Sequence, residues 1–361
     1  MHFYVHTVPT NVMDIHIPPP ITVPLLQICA QLQLPPVVTY SDDVLYNWAF
    51  KSSPTSNILF SPKEELQNLR CLTLFTGTRD EEEFYLCSAR IELRGVEALS
   101  LMRAIMDEAF VGDAIALRRI TSYLRTLASV VREMQALLAA VRARCDPMVF
   151  YHEIRPWFFG ADSDTRGRRW VFDGLALDPT LEVPKELSGP SAGQSSLIHA
   201  LDIFLGIDEY SHSSSSASAS SSSPSPSQPP SAPPAHSADS PPPPKSTPFL
   251  DRMQAYMPRH HRAFLRHLQA NPRPLRTLVA RSGPGPLREA YDGALAALKE
   301  FRDEHVRIVA LYIMMPARRV RGEGEEAARG APKGSGGTDA YRFVKSVRDK
   351  TASALLGNAP S

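Results

Sequence analysis

The chain has 361 residues, 43% of them hydrophobic, and a formal net charge of +1. This length is sufficient for one large domain or two ordinary ones, and hydrophobic side chains are numerous enough to bury a sizeable core. The near-neutral charge, without a basic block, argues against a nucleic-acid partner. No apolar run approaches the ~20 residues that a membrane-spanning helix needs.

The cysteines and the N-terminal segment bear on the cellular compartment. Cys29, Cys71, Cys87 and Cys145 are far apart in the sequence, which matches neither a zinc spacing nor a disulfide framework and suits a reducing compartment. The first residues also lack the basic-then-apolar order of a signal peptide. We therefore expect a cytoplasmic protein with no membrane partner.

The N-terminal third begins with a proline-rich stretch. Residues 1–39 are expected to be mostly extended, with room for one short helix over Leu25–Leu32. A helix is predicted to begin near Ser41, in "SDDVLYNWAF". Apolar residues then recur at helical spacing from Phe84 through Ala109, and Gly112 breaks the pattern.

The clearest helix follows Gly112. Its apolar positions alternate steps of four and three over about three heptads, which is the pattern of a helix–helix seam. These positions are Ile120, Leu124, Leu127, Val131, Met134, Leu138 and Val141. A coiled coil is the alternative, but we expect a core helix of a bundle because other helical segments need a surface to pack on. Asp146-Pro147 then predicts the cap and start of another helix.

The second half contains two interruptions. Residues 211–248 are rich in Ser and Pro and predict a disordered insert, and residues 318–337 predict a shorter mobile loop. A long helix is expected from Leu287 to Met315, and a last helix from Asp339 to Leu356 with Thr338 as N-cap. Strand signals are nearly absent, so the sequence predicts an all-α domain interrupted twice.

His305 stands at the centre of an apolar helix face. That face is formed by Leu298, Phe301, Ile308, Val309 and Tyr312. A core histidine satisfied by a neighbour is one interpretation. The other is an axial ligand to haem iron, with a neutral imidazole directed into an apolar cavity. Arg302, one turn earlier, could reach a carboxylate near the same site. No second His, Cys or carboxylate residue lies three or four positions from His305, which argues against a zinc site.

Three other segments each allow a structural and a functional interpretation. "GPSAGQSS", residues 189–196, predicts a helix start capped by Ser195 or Ser196, and its small side chains would also let a flat cofactor approach the backbone. "FYHEIRPWFFG", residues 150–160, is either an aromatic core around Arg155 or an aromatic wall beside a carboxylate clamp. "KGSGGTD", residues 333–339, is either a linker or a glycine-hinged lid.

Five segments, in this order, resemble the indoleamine 2,3-dioxygenase family. They are "LPPVVTYSDDVLYNW", "GPSAGQSSLIHALDIFLGI", "FLDRMQAYMPRHHRAFL", "LREAYDGALAALKEFRDEHVRIVALYI" and "KGSGGTDAYRFVKSVRDKTASALL". The resemblance covers about residues 20–209 and 247–356. It implies a large helical haem-binding domain, formed by residues 40–210 and 249–361. It also implies that most of a small N-terminal domain is missing, with residues 1–39 as its remnant and connector.

The resemblance implies a role for each matching position. His305 corresponds to the proximal ligand of the iron of haem b, and Arg302 with Asp202 to an arginine beside a haem propionate and its acidic partner. Phe150 and Arg155 correspond to residues that hold the indole ring and the substrate carboxylate. The positions that correspond to the distal pocket are Ser88, Phe84, Tyr85, Tyr40, Asp43 and Val44. Ser191 and Ala192 correspond to the loop over the haem edge, and Ser335 corresponds to a loop that closes on the substrate.

The reaction implied by the resemblance is the insertion of both atoms of O2 into the indole ring of L-tryptophan. The product would be N-formylkynurenine, on the way to kynurenine and NAD. A monomer and an external electron donor that keeps the haem ferrous are also implied. The alternative is a catalytically impaired haem-binding relative or a helical interaction protein. Asp43 departs from the family, which usually has a small or apolar residue there.

Overall fold

The computed structural model describes residues 1–53, 65–164, 167–207, 249–321 and 339–358. Most of the fold is helical. The helices are α1 His2–Thr7, α2 Pro19–Leu32, α3 Arg79–Val111, α4 Ala114–Ala140, α5 Pro147–Val149, α6 Ser196–Phe204, α7 Phe249–Gln254, α8 Arg259–Gln269, α9 Leu275–Arg281, α10 Pro286–Val309, α11 Met315–Arg321 and α12 Ala340–Ser353. The insert at 211–248, Ser335 and nearly all of the loop at 318–337 lie outside the described residues.

Four short strands accompany the helices in the described part of the chain. Strands β1 (Asp14–Ile17) and β4 (Arg169–Phe172) pair in parallel, with Ile15 opposite Trp170. Strands β2 (Trp48–Phe50) and β3 (Leu69–Cys71) pair antiparallel. The all-α prediction is therefore confirmed, with two small two-stranded sheets added at its edge.

The prediction that residues 1–39 are mostly extended is wrong. This segment forms α1, β1 and α2, and Pro19 and Pro20 occupy the first turn of α2, where a missing N–H costs little. The predicted helix Leu25–Leu32 is the second half of α2. Buried Val5, Ile15 and Phe172 share a small core, so packing against a distant strand orders this stretch.

Helices α3 and α4 form the centre of the bundle. The side chain of Thr78 caps α3, which ends at Gly112 in the left-handed conformation (φ 71°), as the sequence predicts. On α4, the predicted seam residues from Ile120 to Met134 are buried. Because α4 packs against α3 and α10 of the same chain, the bundle interpretation of the seam is confirmed.

Helix α10 carries His305 through the middle of the molecule. It packs against α4 on one side and α12 on another. The predicted helix from Leu287 to Met315 continues beyond α10 as a π-helical turn, Ala310–Met314. Further π-helical turns occur at Ser41–Leu45 and Phe150–Ile154, and each of the three contributes side chains to the site described below.

Local capping agrees with the sequence in two of three places. Asp146 caps α5 and Ser195 caps α6 through side-chain hydrogen bonds, as predicted. The N-cap of α12 is Asp339, whose carboxylate accepts from the Arg342 N–H, so the assignment of Thr338 is wrong by one residue. The predicted helix near Ser41 is a single π-helical turn, because Asn47 bonds to Thr73 across the loop and Trp48 begins β2.

Candidate active site

Two adjoining cavities meet at His305. The Arg302 cavity has a volume of about 230 Å³ and includes Arg302 and Asp202 in its lining. The Arg155 cavity has a volume of about 180 Å³ and includes Arg155 and Asp43 in its lining. Most of the remaining wall of both is aromatic or aliphatic, so α10 presents its histidine to an apolar interior.

The imidazole of His305 is uncharged at neutral pH and has no hydrogen-bond partner among the described residues. Burial, assisted by the positive charge of Arg302, lowers the pKa of His305 to about 4. Among the described residues, no hydrogen bond to its ring is present. The same residues contain no group of three or more His, Cys, Asp or Glu side chains able to hold a metal ion. His305 therefore offers one nitrogen donor by itself.

Arg302 and Asp202 form a buried ion pair in the first cavity. The guanidinium Nη2 lies 2.5 Å from Asp202 Oδ1, and the two residues are 4% and 5% exposed. Arg302 also donates to the hydroxyl of Thr351 on α12. Three elements, α6, α10 and α12, thus fix one cationic group beside His305, which favours an anionic group of a ligand at this position.

The loop before α6 supplies small residues to both cavities. Ala192 and Gly193 line each of them, and the Ser191 hydroxyl accepts from the Gly193 N–H at 3.2 Å. A Cβ atom at position 193 would lie 3.0 Å from the ring of Phe249. The absence of a side chain at Gly193 therefore lets Phe249 of α7 pack closely against this loop.

An aromatic wall separates the second cavity from the bundle core. Phe84 lies 4.5 Å from Phe150 and 5.7 Å from Phe158 between ring centroids, and Phe150 packs edge-on against Tyr312 at 5.6 Å. Ser88, one turn after Phe84 on α3, lines both cavities. Val44 and Tyr40 complete this side. Such a wall suits a flat apolar ring.

Arg155 supplies positive charge at the second cavity. Its guanidinium lies over the rings of Tyr151 and Phe159, each at 5.0 Å from the centroid. Burial lowers the pKa of Arg155, but a guanidinium remains charged at neutral pH. The arrangement is able to bind a carboxylate next to the aromatic wall.

A half-buried carboxyl group, that of Glu92, joins the site without having been singled out in the sequence. Its Oε1 accepts from the Tyr40 hydroxyl at 3.0 Å and from the Ser195 hydroxyl at 2.6 Å, and it lines the Arg302 cavity. Burial raises the pKa of Glu92. Its position four residues after Ser88 on α3 was the available signal, because residues i and i+4 share a helix face.

A sequence model of the indoleamine 2,3-dioxygenase family matches residues 1–354. The chain belongs to this family. It is 31% identical over 351 residues to indoleamine 2,3-dioxygenase 2 of Mus musculus, an alignment that covers 94% of this chain and 73% of the relative. It is 31% identical to indoleamine 2,3-dioxygenase of Saccharomyces cerevisiae, covering 91% and 70%. It is 27% identical to 6-hydroxytryptophan 2,3-dioxygenase fscD of Fusarium equiseti, covering 92% and 73%.

Membership of the indoleamine 2,3-dioxygenase family makes this chain a haem dioxygenase by class, and the residues present fit a haem. A porphyrin supplies four ligands to its iron, so the protein needs to add only one neutral nitrogen, which His305 offers. The apolar walls suit the macrocycle, and Arg302 suits a propionate. The site therefore matches iron porphyrin better than a metal ion held by protein ligands alone.

The structure brings most of the predicted site residues of this family member together. Both cavities include Tyr40, Phe84, Ser88, Phe150, Ala192 and His305. Arg302 and Asp202 line the first cavity, whereas Val44, Tyr85, Arg155 and Ser191 line the second. Ser335 lies outside the described residues. Of the described helices, none is long and apolar enough to cross a membrane.

Proposed function

We propose that this enzyme inserts both atoms of O2 into the indole ring of L-tryptophan and releases N-formylkynurenine. The observation that carries the proposal is the position of His305. One neutral imidazole stands where a cavity with a buried cation, Arg302, meets a cavity with an aromatic wall and a second cation, Arg155. The two cavities adjoin but differ in their lining residues, so one could hold a cofactor and the other a substrate that reacts with it.

The Arg302 compartment would hold haem b. The His305 imidazole would supply a nitrogen ligand to the iron, and Arg302, oriented by Asp202, would bind a propionate. Ala192 and Gly193 would lie against the edge of the ring. When bound, the haem supplies the oxygen activation that the side chains of this chain cannot perform.

The Arg155 compartment would hold tryptophan. The indole ring would pack against the wall formed by Phe84 and Phe150, and the carboxylate would pair with Arg155. Ser88 stands at the boundary of the two compartments and would contact the indole nitrogen. The chain's contribution to the reaction is then to fix the ring next to the cofactor and to exclude water from it.

The remaining requirements are part of the same proposal. An external electron donor would keep the iron ferrous, and the protein would act as a cytoplasmic monomer at the entry to the kynurenine route towards NAD. Substrates within the family vary, since one relative is named for 6-hydroxytryptophan. Tryptophan itself is proposed because the aromatic wall and Arg155 match its flat ring and its carboxylate.

Oxygen uptake by haem-reconstituted, reduced protein tests the proposal. We expect one O2 consumed per tryptophan, and both atoms of ¹⁸O2 in the product by mass spectrometry. The Arg155→Ala variant is the control, because it should retain haem absorbance and lose turnover at low tryptophan concentration. A protein that binds haem but oxidises no indole would contradict the proposal, and so would one that binds no haem.

A further inference from the structure

The second cavity contains a carboxyl group that none of the described residues satisfies. Asp43 lies in the π-helical turn Ser41–Leu45 and is 5% exposed. Its Oδ2 is buried without a hydrogen-bond partner, and no hydrogen bond to the Asp43 side chain is present in the described part of the chain. Asp43 nevertheless lines the Arg155 cavity. Asp43 is therefore a buried carboxyl group at the wall of the cavity that lacks a hydrogen-bond partner among the described residues.

The hydroxyl of Tyr85 is a second polar group on the same wall, and among the described residues it makes no hydrogen bond of normal geometry. Tyr85 is 3% exposed, its Oη has no hydrogen-bond partner of normal geometry, and it lines the same cavity. Burial raises the pKa of Tyr85, and the carboxyl group of Asp43 adds most to this effect among the neighbouring charges. Asp43 and Tyr85 therefore lie near each other. The carboxylate of Glu81 adds to it as well and is close enough to accept from the Tyr85 hydroxyl, whose oxygen can still accept a hydrogen bond.

The protonation of Asp43 determines what the pair can bind. Burial, together with the negative charges of Asp42 and Glu81, raises the pKa of Asp43 well above its usual value. A neutral carboxyl group has one O–H to donate and a carbonyl oxygen to accept, and the tyrosine hydroxyl can also do both. Their natural complement is a small neutral group such as a hydroxyl.

Leaving these groups unmatched is costly. A buried polar atom without a partner has lost its hydrogen bonds to water and gained none in the protein, and native structures keep few such atoms. The neighbouring side chains Val44, Phe84 and Phe158 are apolar and need no partner. An unsubstituted indole would cover Asp43 and Tyr85 without offering either of them a hydrogen bond.

Resting on the function proposed above, we propose that Asp43 and Tyr85 recognise a hydroxyl group on the benzene ring of the substrate. The enzyme would then oxidise a ring-hydroxylated tryptophan with a higher kcat/KM than tryptophan, which remains a substrate. A site built around buried hydrogen-bonding groups discriminates strongly against an analogue that leaves those groups unpaired. Asp43 is in this account a specificity-determining residue, and the chemistry at the pyrrole ring is unchanged.

Paired substrate analogues test the proposal. The four ring positions of L-tryptophan are compared as hydroxy and methyl derivatives, which are similar in size, and kcat/KM is measured for each. We expect one hydroxy isomer to exceed its methyl partner by about tenfold or more, which corresponds to about 1.4 kcal/mol. Asp43→Ala should abolish this ratio, whereas Asp43→Asn, which still donates and accepts, should retain most of it.

Val44→Ala is the matched control. Val44 adjoins Asp43 on the same turn and lines the same cavity, but it makes no hydrogen bond through its side chain. Its truncation should lower kcat/KM for the hydroxy and methyl analogues by the same factor and leave their ratio intact. Tyr85→Phe should lower the ratio without removing it, because Asp43 remains.

The outcomes separate this proposal from the proposed function. Calorimetric titration of the ferric holoprotein, which does not turn over, should show the same hydroxy preference in Kd. If no indole is oxidised but the preference appears in Kd, the proposed reaction fails and the recognition by Asp43 stands. If wild-type protein shows no hydroxy preference by either measurement, the recognition fails. It also fails if Asp43→Ala weakens hydroxy and methyl analogues equally, as a contact to the substrate ammonium group would predict.

Discussion

The ion pair between Arg302 and Asp202 permits the most quantitative prediction. Both side chains are buried, and the shortest distance between the guanidinium and the carboxylate is 2.5 Å. Asp202→Asn preserves the shape of the side chain and removes its charge. The guanidinium of Arg302, which also donates to Thr351, then remains as a buried cation without an anion.

Removing one partner of a buried ion pair costs about 3–5 kcal/mol, because the other charge stays desolvated. Unfolding entropy is about 2.1 cal/mol/K per residue, so a chain of 361 residues gives roughly 0.76 kcal/mol/K. The expected decrease in Tm of Asp202→Asn is therefore about 4–7 °C. The double variant Asp202→Asn/Arg302→Gln should recover part of this loss, since it removes the uncompensated cation.

Thermal unfolding followed by circular dichroism measures these changes in the haem-free protein. The control is Asp14→Asn, which breaks an ion pair of similar geometry with Arg169, 2.8 Å long and 76% exposed at the arginine. Exposed ion pairs contribute little, so this variant should leave Tm unchanged. Equal Tm values for Asp202→Asn and Asp14→Asn would show that Asp202 does not stabilise the buried charge of Arg302. A double variant less stable than Asp202→Asn would show the same.

Three further predictions concern the substrate clamp, the loop geometry and pH. Arg155→Ala should keep haem absorbance and weaken tryptophan binding by ~2–4 kcal/mol in spectroscopic titrations; unchanged affinity would exclude the clamp. Gly189→Ala should lower the free energy of unfolding in urea by ~1–3 kcal/mol, because its Cβ would overlap the Phe158 carbonyl. Gly293 faces open space in α10, so Gly293→Ala should raise the free energy of unfolding by ~0.5–1 kcal/mol. Burial lowers the pKa of His6 from 6.5 to about 4, so at a pH between these values the unfolded chain binds a proton that the folded chain does not, and the free energy of unfolding falls as the pH falls. In urea unfolding, His6→Gln should therefore show a shallower decline in stability between pH 6.5 and 5 than the wild-type protein. An equal decline in both proteins would contradict this prediction.

The long helices were predictable because their apolar positions repeat. The seam of α4 and the apolar face of α10 need only periodicity, and Gly112 and Asp146 act as local stop and start signals. The first 39 residues were not predictable in this way. Their order depends on packing against Phe172 and on pairing with β4, more than 150 positions away in the sequence.

The site residues likewise differ in how far the sequence alone could predict them. The position of His305 on an apolar face follows from the sequence, whereas the choice between a core histidine and an iron ligand came from the family resemblance. Glu92 was missed because a glutamate on a long helix is most often solvated, and only the fold shows Tyr40 and Ser195 donating to it. The unsatisfied state of Asp43 is likewise a tertiary property, since it depends on what surrounds the turn at Ser41–Leu45.

The central claim is that the His305 imidazole is the protein ligand of the haem iron. The most direct measurement is spectroscopic titration of His305→Gly with haem, in the absence and presence of free imidazole. We predict that the variant loses the absorbance of histidine-ligated haem, and that added imidazole restores it by occupying the vacated space next to Arg302. If His305→Gly gives the wild-type haem spectrum without imidazole, another residue holds the iron and the assignment of His305 is wrong.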